Sequence, residues 1–142
     1  MLMSKVFGLD LGTTTLGVAI SDTNGIFAYG YEQFRFEPGN YKKALNHVIE
    51  ICHKEDVKEI ALGLPLHMNG DVGERAQSSM RFKLELESLD SSLEIHLVDE
   101  RMSTMLANSR LLEADISRKK RKAVIDKMSA VVILETYLGQ RR

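Results

Sequence analysis

VFGLDLGTTTLGVAISD, residues 6–22, is the stretch whose reading decides the fold. It reads as a buried strand over 5–11, a glycine-threonine turn and a second strand over 15–21. In that second strand Leu16, Val18 and Ile20 alternate with Gly17, Ala19 and Ser21. Inside the first strand stands one carboxylate, Asp10, with Val6, Phe7 and Leu9 before it and Leu11 after. An ionised side chain among apolar neighbours is costly unless it is paired or bound to a cation. Asp10 is therefore a functional candidate, and the next question is which other groups share a cation or a phosphate with it.

Working outward, Thr23-Asn24-Gly25 marks a turn and 26–36 is rich in aromatic and extended-favouring residues, so a third strand completes an antiparallel meander. Pro38-Gly39-Asn40 then breaks the chain, with Asn40 as the expected N-cap of a helix that carries Tyr41, Leu45, Val48, Ile49 and Cys52 on one stripe. Cys52 on that stripe reads as a small buried hydrophobe. Residues 57–64 form a fourth strand. A loop over 66–71, which holds His67, leads into a helix with Asp71 and Glu74 at capping-box spacing; it runs through Ala76, Met80 and Leu84 and ends near 89–92. Residues 93–99 form a fifth strand. Met102, Met105, Leu106, Ser109 and Leu112 give a further helical stripe. The cations at 118–122 repel one another and resist burial, which predicts a solvated loop before a last helix from about 123 to 138. With no repeat, linker or domain boundary, one domain over 1–142 is expected. A meander followed by alternating helices and strands implies an α/β fold: a five-stranded mixed sheet, three antiparallel strands plus two parallel ones, with helices on both faces.

Composition narrows the class. A chain of 142 residues with 44% hydrophobic and 27% charged residues can bury a core and is not disordered. A net charge of −1 excludes a globally basic nucleic-acid binder, so such binding has to come from a local patch. The single cysteine excludes an internal disulfide and fits a reducing compartment. No apolar run reaches signal-peptide or membrane-spanning length, so a cytoplasmic protein without a membrane partner is expected.

Three acidic positions compete to share a site with Asp10. Asp99 and Glu100 stand at the C-terminal end of the fifth strand, where ligands bind in open α/β sheets. Asp126 shares a helix side with Ser129, Ala130 and Ile133, and small residues on that side let the helix lie close to the sheet. Strand alternation lets only one of Asp99 and Glu100 face Asp10, and spacing leaves open which. An oxygen-only ligand set suits Mg²⁺ or Mn²⁺, and a pair of such ions is the usual device for in-line phosphodiester cleavage. Each acid also has a structural explanation: a helix-dipole partner for Asp126, a surface ion-pair cluster for Asp99-Glu100-Arg101. Arg118, Lys119, Lys120, Arg121 and Lys122 stand just before Asp126 and form a local footprint for nucleic-acid phosphates. No Cys/His zinc spacing occurs, and the four histidines are scattered.

Four ordered motifs, GLDLGTTTLGVAISD at 8–22, GLPLHMNGDVGERAQ at 63–77, DERMST at 99–104 and KRKAVIDKMSAVVIL at 120–134, together resemble the YqgF family, also called RuvX, RuvC-like members of the RNase H fold. The resemblance implies that Asp10, Glu100 and Asp126 are catalytic metal-binding acids and that Mg²⁺ or Mn²⁺ is the cofactor. It implies an endonuclease that matures the 5′ end of 16S ribosomal RNA from its precursor, with Holliday-junction resolution on structured DNA as the alternative. Nucleic acid is the implied partner, with the ribosome beside it, for a monomer or homodimer. Arg75, Arg101 and the run 118–122 are expected to hold the strand. The family commonly carries a basic residue at position 14 or 15, where this chain has Thr14 and Thr15. GLDLGTTT also resembles the first phosphate motif of actin-like ATPases, sugar kinases and Hsp70 chaperones. Those proteins close two such domains on a nucleotide, and 142 residues supply one. A third reading is an RNA- or ribosome-binding factor that keeps the fold without catalysis.

Overall fold

The protein is described by a computed structural model over residues 4–101 and 118–141, the side chains of 118–127 excepted. The elements run in the order β1 (Val6–Leu11), β2 (Thr15–Ser21), β3 (Ala28–Arg35), α1 (Tyr41–Glu55), β4 (Glu59–Leu64), α2 (Glu74–Leu89), β5 (Glu94–Asp99) and α3 (Arg118–Arg141). Two tight turns make the meander. The Gly12 N–H donates to the Thr15 carbonyl at 2.8 Å, and the Asp22 Oδ1 accepts the N–H groups of Ile26 at 2.8 Å and Phe27 at 3.1 Å. From β3 the chain crosses over through α1, which brings β4 back parallel to β1, and through α2, which brings β5 parallel to β4. The sheet order is β3-β2-β1-β4-β5, the mixed architecture expected from the sequence. Opposite Val18 and Ala19 the register of β3 slips by one residue, so that Tyr31 bulges out of the ladder.

Alternation sorts each strand onto two faces. Phe7, Leu9 and Leu11 join Leu16, Val18, Ile60, Leu62 and Ile95 in one core, closed by Leu45, Val48, Ile51 and Cys52 of α1 and Phe82 and Leu86 of α2. Burial pushes the Cys52 thiol up to about 12, so it stays protonated and behaves as a hydrophobe. The opposite face is built from smaller residues, Ala19, Ala61, Val6 and Val98, against Ala130, Ile133, Leu134 and Leu138 of α3. At Gly8 the helix touches the strand backbone: a Cβ there would lie 2.7 Å from Leu134 Cβ and 2.8 Å from the Ala130 carbonyl. The far end of α3 is clamped on Glu59, which accepts the Tyr137 hydroxyl and both 3.0 Å bonds from Arg141 Nη1. Glu59 lies opposite Val6, so α3 runs antiparallel to β1.

Several local expectations are corrected. Asn40 is the N-cap residue of α1 as expected, but its side chain makes no capping bond; its carboxamide donates to Glu37 instead, at 3.4 Å. Asp71 and Glu74 form no capping box, because α2 starts at Glu74 with Gly73 as its N-cap and Asp71 closes a small loop onto Asn69 through two 3.0 Å bonds. The buried side of α2 is Ala76, Ser79, Phe82 and Leu86, which leaves Met80 and Leu84 exposed. The run 118–122 is not a loop: its backbone forms the start of α3, as suits Lys and Arg, which are good helix formers. Asp126 consequently sits about two turns into its helix, not the one turn expected from a start near 123. The stripe at 102–112 lies outside the described residues. No helix among the described residues is long and apolar enough to cross a membrane.

Candidate active site

Two strand ends meet across one glycine. Asp10, the fifth residue of β1, shares its side of the sheet with Val6 and Gly8 and therefore faces the α3 side. Between β1 and β5 runs β4, where Gly63 lies opposite Val98. The backbone turns helical at Glu100, directly after β5, and the Glu100 side chain swings over Gly63. A Cβ at Gly63 would lie 2.7 Å from Glu100 Cδ, 2.8 Å from its Cγ and 2.6 Å from Ile133 Cδ1, so only a hydrogen fits beneath. Glu100 is 7% exposed and hydrogen-bonds to Asp10. Its Oε2 is buried and finds no hydrogen-bond partner among the described residues.

The electrostatics follow from that placement. Burial first, and the negative charge of Asp10 second, hold the Glu100 carboxyl well above the usual carboxylate range; the Arg75 guanidinium pulls the other way. Between them the two carboxyls thus keep a proton that an exposed pair would release. Arg75, in the first turn of α2, also donates from Nη2 to the Leu11 carbonyl at 3.1 Å, which ties that helix to the end of β1.

Asp99 points elsewhere. It accepts Arg101 Nε at 3.0 Å, Nη2 at 2.6 Å and the Arg101 backbone N–H at 3.0 Å, and those bonds hold its carboxyl below the usual range. Arg101 Nη1 reaches the Met68 carbonyl at 3.4 Å and so fastens loop 66–71 to the strand end. Of the two neighbouring acids, Glu100 is the one beside Asp10. His67 packs on Gly73 at the start of α2.

Asp126 stands one helical turn before Ala130, and Gly8, which Ala130 abuts, stands two residues before Asp10. One turn of helix and two strand residues both advance about 6 Å, so along these antiparallel elements residue 126 is level with residue 10. The side chains of Asp126 and of 118–122 lie outside the described residues. Among the described residues no third His, Cys, Asp or Glu joins the pair.

What sequence reasoning missed are the glycines that make the approach possible, Gly8 and Gly63. Their signal was present, since a glycine inside a strand often marks a site where another backbone or a ligand comes close.

A five-stranded mixed sheet in this order, with helices on both faces, is an RNase H-like fold. Its solved relatives agree: Thermus thermophilus RuvC in complex with a Holliday junction substrate superposes with a TM-score of 0.62 at 14% identity, covering 97% of this chain and 95% of that one. A second T. thermophilus RuvC structure gives 0.60 over 96% and 95%. Within that class, residues 4–140 match the RuvX family, described as Holliday junction resolvase, and the chain belongs to it. A Geobacillus relative is 50% identical over 138 residues, covering 97% of this chain and 99% of its own; one from Staphylococcus saprophyticus is 45% identical over 97% of each. Both carry the name "Putative pre-16S rRNA nuclease". The family description and the relatives' names are those of nucleases, and that is the role they support for this chain.

Proposed function

We propose that the chain is a divalent-cation-dependent endonuclease that cuts precursor 16S ribosomal RNA in 5′-end maturation. The observation that carries the reading is the buried Asp10–Glu100 pair: two carboxylates drawn together against their own repulsion, with an oxygen of Glu100 left without a partner. Such a pair is expensive in a merely structural role and fits a hard cation with oxygen ligands. Asp10 and Glu100 would hold Mg²⁺ or Mn²⁺, with Asp126 as the third ligand. A cation held there supplies Lewis-acid polarisation of the phosphodiester and a lowered pKa for water.

The chain's own residues then divide the remaining work. With one proton between them Asp10 and Glu100 carry a single negative charge in a site already shaped, and a cation bound there would displace that proton. Gly63 and Ile133 fix the Glu100 side chain from below and beside, which keeps the carboxylates in one geometry through turnover. Arg75 at the end of β1 offsets the negative charge of the incoming phosphate. Arg101, held by Asp99, positions loop 66–71 at the rim. The cations of 118–122 add sequence-independent affinity for the strand.

The test is cleavage of a 5′-labelled precursor 16S RNA fragment with Mn²⁺, beside a four-way DNA junction, by wild type and Asp10→Asn. Cation-dependent RNA cleavage lost in the variant is the expected result. Junction cleavage without RNA cleavage would move the substrate to DNA, and cleavage that survives in Asp10→Asn would overturn the site.

A further inference from the structure

The turn beside Asp10, Gly12-Thr13-Thr14-Thr15, holds no cation, although it forms the open rim over which a strand leaving the carboxylates would pass. One strand further out stands Arg35, the last residue of β3, paired in register with Thr15. Its neighbours fix the direction of its side chain. Phe34 packs on the α1-side core and stacks on His47 of α1, with ring centroids 3.9 Å apart, and Phe36 is buried in the same core. With both flanking aromatics on one face, alternation sends Arg35 to the other, the face of Asp10 and Glu100. Arg35 is exposed, and among the described residues its guanidinium makes no hydrogen bond or ion pair.

The register gives its distance from the chemistry. Arg35 lies two strands from β1 and about one two-residue step beyond the row Asp10–Gly17–Gln33. With strands about 4.8 Å apart and about 6.6 Å per two residues, the Cα atoms of Arg35 and Asp10 are about 12 Å apart. That is too far for the scissile phosphate and suits a phosphate further along the same strand. The strand and turn residues that lie between, Gly12 and Thr15, are small.

We propose that Arg35 is a phosphate-binding residue for the RNA strand, gripping a backbone phosphate beyond the cut and setting the line along which the strand crosses the β2–β3 rim. The planar guanidinium suits a phosphate because it offers two parallel N–H donors. This inference rests on the nuclease reading only for the choice of RNA as ligand.

The test is fluorescence anisotropy with the same precursor 16S RNA fragment, in Ca²⁺ in place of Mn²⁺, at a series of salt concentrations. Wild type, Arg35→Gln, Arg35→Lys and Arg81→Gln, an exposed arginine on α2, are compared. Arg35→Gln is expected to bind about fivefold more weakly, with a log–log salt slope shallower by about 0.7, the signature of one lost phosphate contact on a single strand. Arg35→Lys keeps the slope and loses part of the affinity, Arg81→Gln matches wild type, and in Mn²⁺ Arg35→Gln raises KM with kcat kept. Equal affinity and slope for Arg35→Gln and wild type, or no RNA binding by wild type, overturns the proposal. The two readings fail separately: RNA bound through Arg35 but never cut removes the nuclease, and RNA cut equally well by Arg35→Gln removes the contact.

Discussion

The two faces of this sheet are made by alternate residues of the same strands, yet they are built on opposite rules. Towards α1 and α2 the strands present Phe7, Leu9, Leu11, Leu16, Ile60 and Leu62, a thick apolar layer that two helices close. Towards α3 the same strands present Val6, Gly8, Asp10, Ala19, Ala61 and Gly63, so the helix comes down to the backbone and carboxylates stand where large side chains would be. One face holds the fold together and the other gives up packing volume to bring charged groups close. Stability and chemistry are thus separated by a single step along the chain.

The separation can be attacked from either side. The largest effect falls on the α3 face: Asp10→Asn is expected to lower the initial cleavage rate in Mn²⁺ about a hundredfold or more while the urea midpoint stays near that of wild type. Phe82→Ala, on the other face, inverts the outcome. It is expected to cost about 3–5 kcal/mol in urea unfolding and to leave the rate per folded molecule unchanged. Gly63→Ala tests the seam, since its methyl group meets Glu100 and Ile133; a rate loss of about tenfold with about 1–2 kcal/mol of destabilisation is expected from the same two assays.

A smaller effect comes from protons. The folded Glu100 carboxyl sits above the ordinary value of 4.5, so the folded, cation-free protein retains a proton that the unfolded chain releases. Its contribution to stability is full below that ordinary value and is lost as the pH rises through the folded one. In EDTA the Tm of wild type is therefore expected to fall relative to Glu100→Gln by about 4 °C from about pH 5 to about pH 8, and Mn²⁺ should abolish the difference. The smallest effect is on Asp99, whose side chain is 37% exposed. Asp99→Asn should change stability by no more than about 0.5 kcal/mol and increase proteolytic nicking in loop 66–71, because Arg101 loses the partner that holds it near Met68.

Much of this was legible in the sequence. The alternation of Leu16, Val18 and Ile20 and the turn at Gly25 announced the meander, and Asp10 announced itself by standing alone among apolar residues. The choice between Asp99 and Glu100 was not legible, because it depends on where strand geometry stops. The backbone turns helical at Glu100, and that turn carries its side chain over Gly63. The starts of α2 and α3 were misread for a related reason. Asp71 spends its hydrogen bonds within a loop, and at 118–122 the helix propensity of Lys and Arg outweighs the repulsion of like charges. Local pattern shows which residues want to be buried; it does not show which partner reaches them first.

The bulge at Tyr31 has a bearing on how the molecule behaves in company. An outer strand with a straight run of open N–H and C=O groups invites the outer strand of another copy, and at high concentration sheets joined in this way grow without limit. Here the invitation is withdrawn at the middle of β3, where the displaced residue turns its ring inward onto Phe7 at 5.3 Å and the ladder loses its regular spacing. Gly30 on one side and the charged Glu32 and Arg35 on the other make the border poorer still as a template. The outer edge of the sheet is thereby kept from sticking to its own kind.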